Sequence, residues 1–290
     1  MHYDILRMSD KGVLYVADTR RYLNEAKISA SQLKKINPSL SVAIATPFST
    51  SFNWNHTINT EEFPRGFEHK ILGIMHSPYT KTLFLDTDTY VLSDITGLFD
   101  LLDKFEMGFS VNHNRSAMDI KGVPPEFPEY NTGVLLFHNN QKFTDFCIDW
   151  REKFINMQKR ENIHDQPAFR QTLWQRNVNY VTLPPEWNLM IRYPVHVKNE
   201  VKIAHSRLIR FKSLGSNTWV NPSKETYKLN LNDNHRIFVP INGKGIKEIF
   251  ALPPHGNNII KKGLFSLRVN GFRYTFARFV QTVVNYIYRS

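Results

Sequence analysis

Short, unbroken apolar runs alternate with segments of helical period along the first two thirds of the chain. Val13-Leu14-Tyr15-Val16-Ala17 shows no polar alternation and stops at Asp18, the pattern of a strand covered on both faces. Leu23, Ala26, Ala30 and Leu33 then recur at three- and four-residue spacing, which predicts a helix over Arg20–Ile36 that Asn37-Pro38 terminates. A second strand is predicted at Ser41-Val42-Ala43-Ile44-Ala45. A loop from Pro47 to Pro64, a helix over Phe67–Met75 and the strand Thr82-Leu83-Phe84-Leu85, running into Asp86, follow. Met107–Val111 and Gly133–Phe137 read as two more strands separated by a Pro-rich loop. Phe143, Phe146, Cys147, Trp150 and Phe154 form an aromatic stripe of helical spacing, read as core. Strands alternating with helices predict an α/β fold, a mostly parallel Rossmann-like sheet flanked by helices, with ligands at the carboxyl ends of its strands.

The chain has 290 residues, enough for one large domain or a domain with an appendage. Its formal charge of +11 makes an anionic partner expected, whether phosphate, nucleic acid or membrane. The single cysteine, Cys147, excludes an intrachain disulfide framework and a Cys-rich zinc site, which favours a reducing, cytoplasmic location. The N-terminal residues lack the pattern of a signal peptide, and no apolar stretch is long enough to span a bilayer. After Glu248 there is no Asp or Glu, while Lys261, Lys262, Arg268, Arg273, Arg278 and Arg289 are interleaved with Phe, Tyr and Val. Residues 1–250 are therefore expected to form the main domain and 251–290 a basic aromatic extension. Two readings of that extension stay open: a segment lying on the cytoplasmic face of an anionic membrane, or a helix packed on the domain with a basic outer side.

The sharpest chemical signal is Leu83-Phe84-Leu85-Asp86-Thr87-Asp88-Thr89-Tyr90-Val91, with two carboxylates at i and i+2 just past a buried strand. Side chains two apart on extended backbone point the same way, so a small turn there aims both carboxylates at one spot. Two hard oxygen donors suit Mn²⁺ or Mg²⁺, which keep open positions for substrate phosphates. Taken alone, an Asp-x-Asp pair is more often a solvated turn or a helix cap.

Here it is not alone, and the chain resembles a GT-A glycosyltransferase of the glycogenin and bacterial galactosyltransferase-like group over roughly residues 12 to 206. Val13 to Asp18 resembles the first nucleotide-binding strand, and Ala45-Thr46 the end of the second. His69-Lys70 through Tyr79 resembles the basic helix before the metal motif, Asn131-Thr132-Gly133 the turn facing the donor sugar, and His164-Asp165-Gln166 the pair lining the sugar and acceptor pocket. Ile203-Ala204-His205 resembles the late strand that carries the third metal ligand. The resemblance implies a metal site of Asp86, Asp88 and His205. It implies donor contacts from Ala17, Asp18, Thr46, Lys70, Asp86, Thr87, Thr132, Gly133 and Lys212, and roles near the reacting atoms for Asp165, Gln166 and Asn131. Lys70 and the cation would stabilise the departing diphosphate, and glycine at 133 would let the backbone come close. Asp165 is either a general base in an inverting reaction or a group that orients the sugar in a retaining one, and the resemblance favours retention. The family's Lys-Pro-Trp after the metal histidine is absent, leaving Arg210 or Lys212 to supply that charge.

The expected function is transfer of a sugar from a nucleotide-diphosphate donor, UDP-linked, to a hydroxyl of a glycan or lipid-linked glycan. A nucleotidyltransferase would need a Gly-rich loop after the first strand, where Asp18-Thr19-Arg20-Arg21 has none. The competing reading is a basic nucleic-acid- or glycan-binding protein on an inactive scaffold. Zinc-knuckle, RNP-type and helix-turn-helix signatures are all missing, so no specific nucleic acid is expected.

Overall fold

The structure is a computed structural model that describes residues 10–159, 164–205, 227–230, 235–241, 245–251, 266–267 and 271–280. Its centre is a seven-stranded sheet in the order β3-β2-β1-β4-β7-β6-β8. The strands are β1 (Lys11–Val16), β2 (Ser41–Thr46), β3 (His56–Asn59), β4 (Lys81–Leu85), β6 (Met107–Val111), β7 (Tyr130–His138) and β8 (Tyr180–Thr182). β7 alone runs against its neighbours, antiparallel to both β4 and β6, and the other pairings are parallel. The sheet is therefore mostly parallel, as predicted.

Burial is continuous along the central strands because alternate side chains point to opposite faces and both faces are covered. Val13, Tyr15, Leu83 and Leu85 join a cluster with Leu23, Ala26, Ala30 and Leu33 of helix α1 (Arg20–Ile36). Leu14 and Phe84 point the other way, into a cluster with helices α2 (Phe67–Met75), α3 (Gln141–Gln158) and α4 (Gln166–Gln175). The α3 stripe of Phe143, Phe146, Cys147, Trp150 and Phe154 is wholly buried there, and burial pushes the Cys147 thiol well up. Helix starts follow local chemistry: Thr19 Oγ1 accepts from the Tyr22 N–H, and Asn140 Oδ1 from that of Phe143.

Two expectations are corrected. The segment from Pro47 to Pro64 is not all loop, because β3 pairs with β2 from Ala43/His56 to Thr46/Asn59. Its half-exposed His-Thr-Ile-Asn sequence gives little apolar signal, and the pairing comes from the sheet edge. Asn131-Thr132-Gly133 is not a turn but part of β7, opposite an irregularity between Phe109 and Ser110 of β6. Asn and Gly favour turns locally, and tertiary hydrogen bonds override that preference here.

Two small sheets complete the described chain. In one, β5 (Thr89–Val91) pairs with β11 (Ile203–His205), which pairs with β9 (Leu189–Met190). In the other, β10 (Val195–Val197) pairs with β12 (Arg236–Ile241), and β12 with β13 (Gly245–Ala251). A third core cluster that includes Leu189, Val195, Val201 and Phe238 lies beneath them. Residues 271–280 are helical, with Phe272, Tyr274, Phe276 and Phe279 all exposed. Among the described residues, no helix is long and apolar enough to cross a membrane.

Candidate active site

At the carboxyl ends of β1 and β4 lies a cleft of about 430 Å³, lined among others by Asp18, Lys70, Asp86, Asp88, Asp165 and His205. Strand ends are where an open α/β sheet leaves room for a ligand. Asp86 follows β4 directly. A tight turn, with the Thr89 N–H donating to Asp86 O at 3.1 Å, carries the chain through Asp88 into β5. β5 pairs with β11 so that His205 sits opposite Thr89, which brings the histidine to the acidic pair. His205 Nε2 is 3.3 Å from Asp88 Oδ1 and 3.9 Å from Asp86 Oδ2. One potential ligand atom from each of the three residues lies within 4.8 Å of the others. Two carboxylate oxygens and one imidazole nitrogen fit a divalent cation of the Mn²⁺ or Mg²⁺ kind.

Gly133 makes that convergence possible. A methyl group built there would collide with His205 Cε1 and stand 2.7 Å from Asp86 Oδ2. The glycine is required by close approach of side chains to β7.

Lys70 projects from α2 into the same centre. Its Nζ is 3.1 Å from Asp86 Oδ1, 3.3 Å from Asp165 Oδ2 and 3.0 Å from Thr132 Oγ1. Burial disfavours the ammonium, but Asp165 and Asp86 outweigh it and hold the Lys70 pKa above its ordinary value. Burial also pushes the Asp86 carboxyl up, opposed by Lys70 and His205 and reinforced by Asp88 and Asp165. Thr132 Oγ1 accepts from Lys70 and donates to Asp165 Oδ2 at 2.7 Å, while the Trp150 indole N–H donates to the Asp165 carbonyl at 3.0 Å. Asp165 is thus fixed by side chain and backbone at the start of α4, where Pro167 suits the first turn.

The other expected residues are placed as follows. Asn131 and Gln166 line the cleft, joined by a long contact of 3.4 Å from Asn131 Nδ2 to Gln166 Oε1. Asp18 lines it too, its Oδ2 accepting from the Gly66 N–H at 2.7 Å ahead of α2. Thr87 also lines the cleft, and its hydroxyl donates to buried Glu25 of α1 at 2.8 Å. Ala17 and Thr46 are buried behind the strand ends, Ala17 within the α1-side core and Thr46 with its hydroxyl 3.4 Å from the Phe48 N–H. Lys212 and Arg210 lie outside the described residues.

Several cleft residues carried no sequence signal: Asn112, Asn114, Met190, Arg192 and Tyr193. The first two flank His113, which burial and neighbouring His205 push down to about 4. They begin the long connection from β6 to β7, which Arg170 of α4 anchors. Arg170 is 1% exposed, and its guanidinium donates to the carbonyls of Phe127, Met118 and Pro124 at 2.7, 2.8 and 2.8 Å.

A mostly parallel sheet with an acidic pair at the end of a central strand, met by a histidine and a lysine, defines a GT-A glycosyltransferase architecture. The pattern of Glycosyl transferase family 8 matches residues 69–213, half of the chain, and the protein belongs to that family. By structure it is similar to the glycosyltransferase GlyE of Streptococcus pneumoniae TIGR4, with a TM-score of 0.51 and 18% identity over 77% of this chain and 61% of that one. The chain thus spans about 61% of the length of GlyE. The galactosyltransferase LgtC aligns with a TM-score of 0.49 at 16% identity over 67% of this chain and 86% of its own. Mouse xyloside xylosyltransferase 1 aligns at 0.46 and 13%, over 68% and 98%. A sequence search of curated proteins gave no match.

Proposed function

We propose that the chain is a metal-dependent glycosyltransferase that moves a sugar, with retention, from a nucleotide-diphosphate donor to a hydroxyl of a glycan or lipid-linked glycan. The observation that carries this reading is the convergence of Asp86, Asp88 and His205 within 4.8 Å beside the Lys70 ammonium. Such a site suits a ligand whose negative charge grows as a bond breaks. A divalent cation held there supplies Lewis-acid stabilisation of the leaving diphosphate. Lys70, fixed by two carboxylates, adds a positive group that needs no reorganisation. Asp165 supports retention: it is 1% exposed and its Oδ2 is engaged by Thr132 and Lys70, which suits a residue that orients the sugar rather than one that takes the acceptor's proton. Asn131 and Gln166 offer amides to sugar hydroxyls. UDP is the nucleotide the family resemblance favours.

Residues 1–250 form the transferase domain in this reading, and 251–290 hold it to the cytoplasmic face of an anionic membrane, where lipid-linked acceptors sit. Support comes from the helix at 271–280, where Phe272, Tyr274, Phe276 and Phe279 are exposed beside Arg273 and Arg278.

Calorimetric titration with UDP, GDP and CDP, with and without Mn²⁺, tests the reading. Mn²⁺-dependent binding of UDP that Asp88→Ala abolishes is the expected result. Binding that ignores both metal and Asp88 returns the protein to the inactive, basic binding scaffold. Once a donor is known, the anomeric configuration of the product by NMR decides retention. Flotation with anionic liposomes, comparing the full chain with one ending at Gly256, tests the extension. Equal flotation of both removes it from the proposal.

A further inference from the structure

We infer that Asn188 is a positioning residue that fixes the tautomer of His205, keeping the proton on Nδ1 and the Nε2 lone pair toward Asp86 and Asp88. The inference rests on the metal-site reading above for its purpose, but the proton assignment follows from hydrogen-bond logic alone. A backbone N–H only donates, and that of Gly133 lies 3.0 Å from a side-chain atom of Asn131, so that atom is the amide oxygen. The same oxygen is 2.8 Å from the Asn188 side chain, which must therefore present its NH₂ group there. The remaining Asn188 atom is then its carbonyl oxygen, 2.8 Å from His205 Nδ1. A carbonyl oxygen only accepts, so Nδ1 carries the hydrogen. In the neutral imidazole Nε2 is left bare.

The bare nitrogen is 3.3 Å from Asp88 Oδ1 and 3.9 Å from Asp86 Oδ2. Three electron-rich atoms facing one another repel, and the same three around a divalent cation are a ligand set. Asn188 is wholly buried and does not line the cleft, so it acts through the histidine. Its position is rigid. It ends the short turn Pro185–Trp187 and leads into β9, whose Leu189 and Met190 pair with Ala204 and His205. The relay thus runs from the Gly133 amide through Asn131 and Asn188 to the imidazole. The polar part of β7 sets the chemical form of a residue on a different sheet.

The test is long-range ¹H–¹⁵N NMR of metal-free, ¹⁵N-histidine-labelled full chain, at a pH above the imidazole range, with His205 signals assigned by their loss in His205→Gln. Wild type is expected to show the Nδ1–H form. Asn188→Leu, which removes the acceptor, should lose that preference, and its Mn²⁺ affinity by calorimetry should fall about 10- to 100-fold. Asn188→Asp keeps an acceptor for Nδ1 but loses the donor to Asn131, so it should keep the Nδ1–H form while losing part of the affinity. An Nε2–H form in wild type, or a tautomer unchanged in a folded Asn188→Leu, overturns the inference. If the leucine variant does not fold, the wild-type and Asn188→Asp spectra still decide. Wild type in the Nδ1–H form that binds no Mn²⁺ upholds the tautomer assignment and defeats the metal reading.

Discussion

The sheet around β1, β2 and β4 and the seam where β7, β11 and α4 meet are equally buried but built from opposite materials. In the first, Val13, Leu14, Val42, Ile44, Leu83 and Phe84 meet other apolar side chains, and stability comes from area removed from water. In the second, Asn131, Thr132, Asp165, Asn188 and His205 are almost as inaccessible, and each is held by a named polar partner. Burying polar groups and charges costs free energy that pairing roughly offsets, so this seam adds little to stability. It adds definition: from the Gly133 amide through Asn131 and Asn188 to His205 Nδ1, and from Thr132 to Asp165, each donor meets an acceptor, which selects one side-chain arrangement. Substitutions in the first region should therefore be read in unfolding curves, and those in the second in metal and donor binding.

The largest expected effect lies in the apolar region. Phe146→Ala, in the cluster with Trp150 and Phe169, should lose about 3–5 kcal/mol in urea unfolding while the folded fraction keeps its Mn²⁺ affinity. Gly133→Ala reverses the pattern. Its methyl group enters the space of His205 and Asp86, so calorimetry should show Mn²⁺ affinity down by about 100-fold at most and 10-fold at least, with little change in the urea midpoint. A variant that binds metal normally would break the comparison at its strongest point.

Arg170→Lys sharpens it from the side of a charged residue buried as deeply as the core. One ammonium cannot reproduce three guanidinium bonds to Phe127, Met118 and Pro124. Hydrogen exchange in segment 118–127 should rise about tenfold, equivalent to roughly 1.4 kcal/mol. Unchanged exchange there would make the staple ornamental. The smallest effect is one of pH. Burial holds the His69 pKa below its ordinary value, while Nδ1 donates to Pro64 O and Nε2 accepts from Thr60 Oγ1. A depressed histidine contributes stability that is full above its unfolded pKa of about 6.5 and is lost as pH falls through the folded one. The urea midpoint of wild type should therefore fall more steeply below that pH than the midpoint of His69→Gln, and parallel profiles would remove His69 from the account.

The same division governs what was legible in the sequence. Helices α1 and α2 and strand β6 lie where periodicity put them, because their burial pattern is written in residue type alone. The acidic pair after β4 was legible through its company: alone it reads as a solvated turn or a helix cap, and the motifs that surround it in order turn that reading toward a metal site. Asn131-Thr132-Gly133 read as a turn because the one local bond, Gly133 N–H to Asn131 Oδ1, suits a turn, while the side-chain partners Lys70, Asp165 and Asn188 are distant in sequence. β9 and β11 are two and three residues long and are set by pairing, so β9 left no periodic trace and β11 was found only through resemblance. Asn188 gave no signal at all. An asparagine after Pro-Pro-Glu-Trp has nothing local to mark it, and its role exists only once β9 and β11 lie side by side.

Arg170 has one more consequence. Its three hydrogen bonds to the β6–β7 connection all end on main-chain oxygens, and the Glu129 carboxylate of the same connection adds an electrostatic attraction. Asn114, which faces the cleft and whose side chain bonds Ser116 of the same connection at 2.6 Å, takes no part in those three anchoring bonds. This wall of the cleft behaves as a panel pinned from behind: a cleft-facing side chain outside those bonds can change while the three main-chain contacts that present it stay in place.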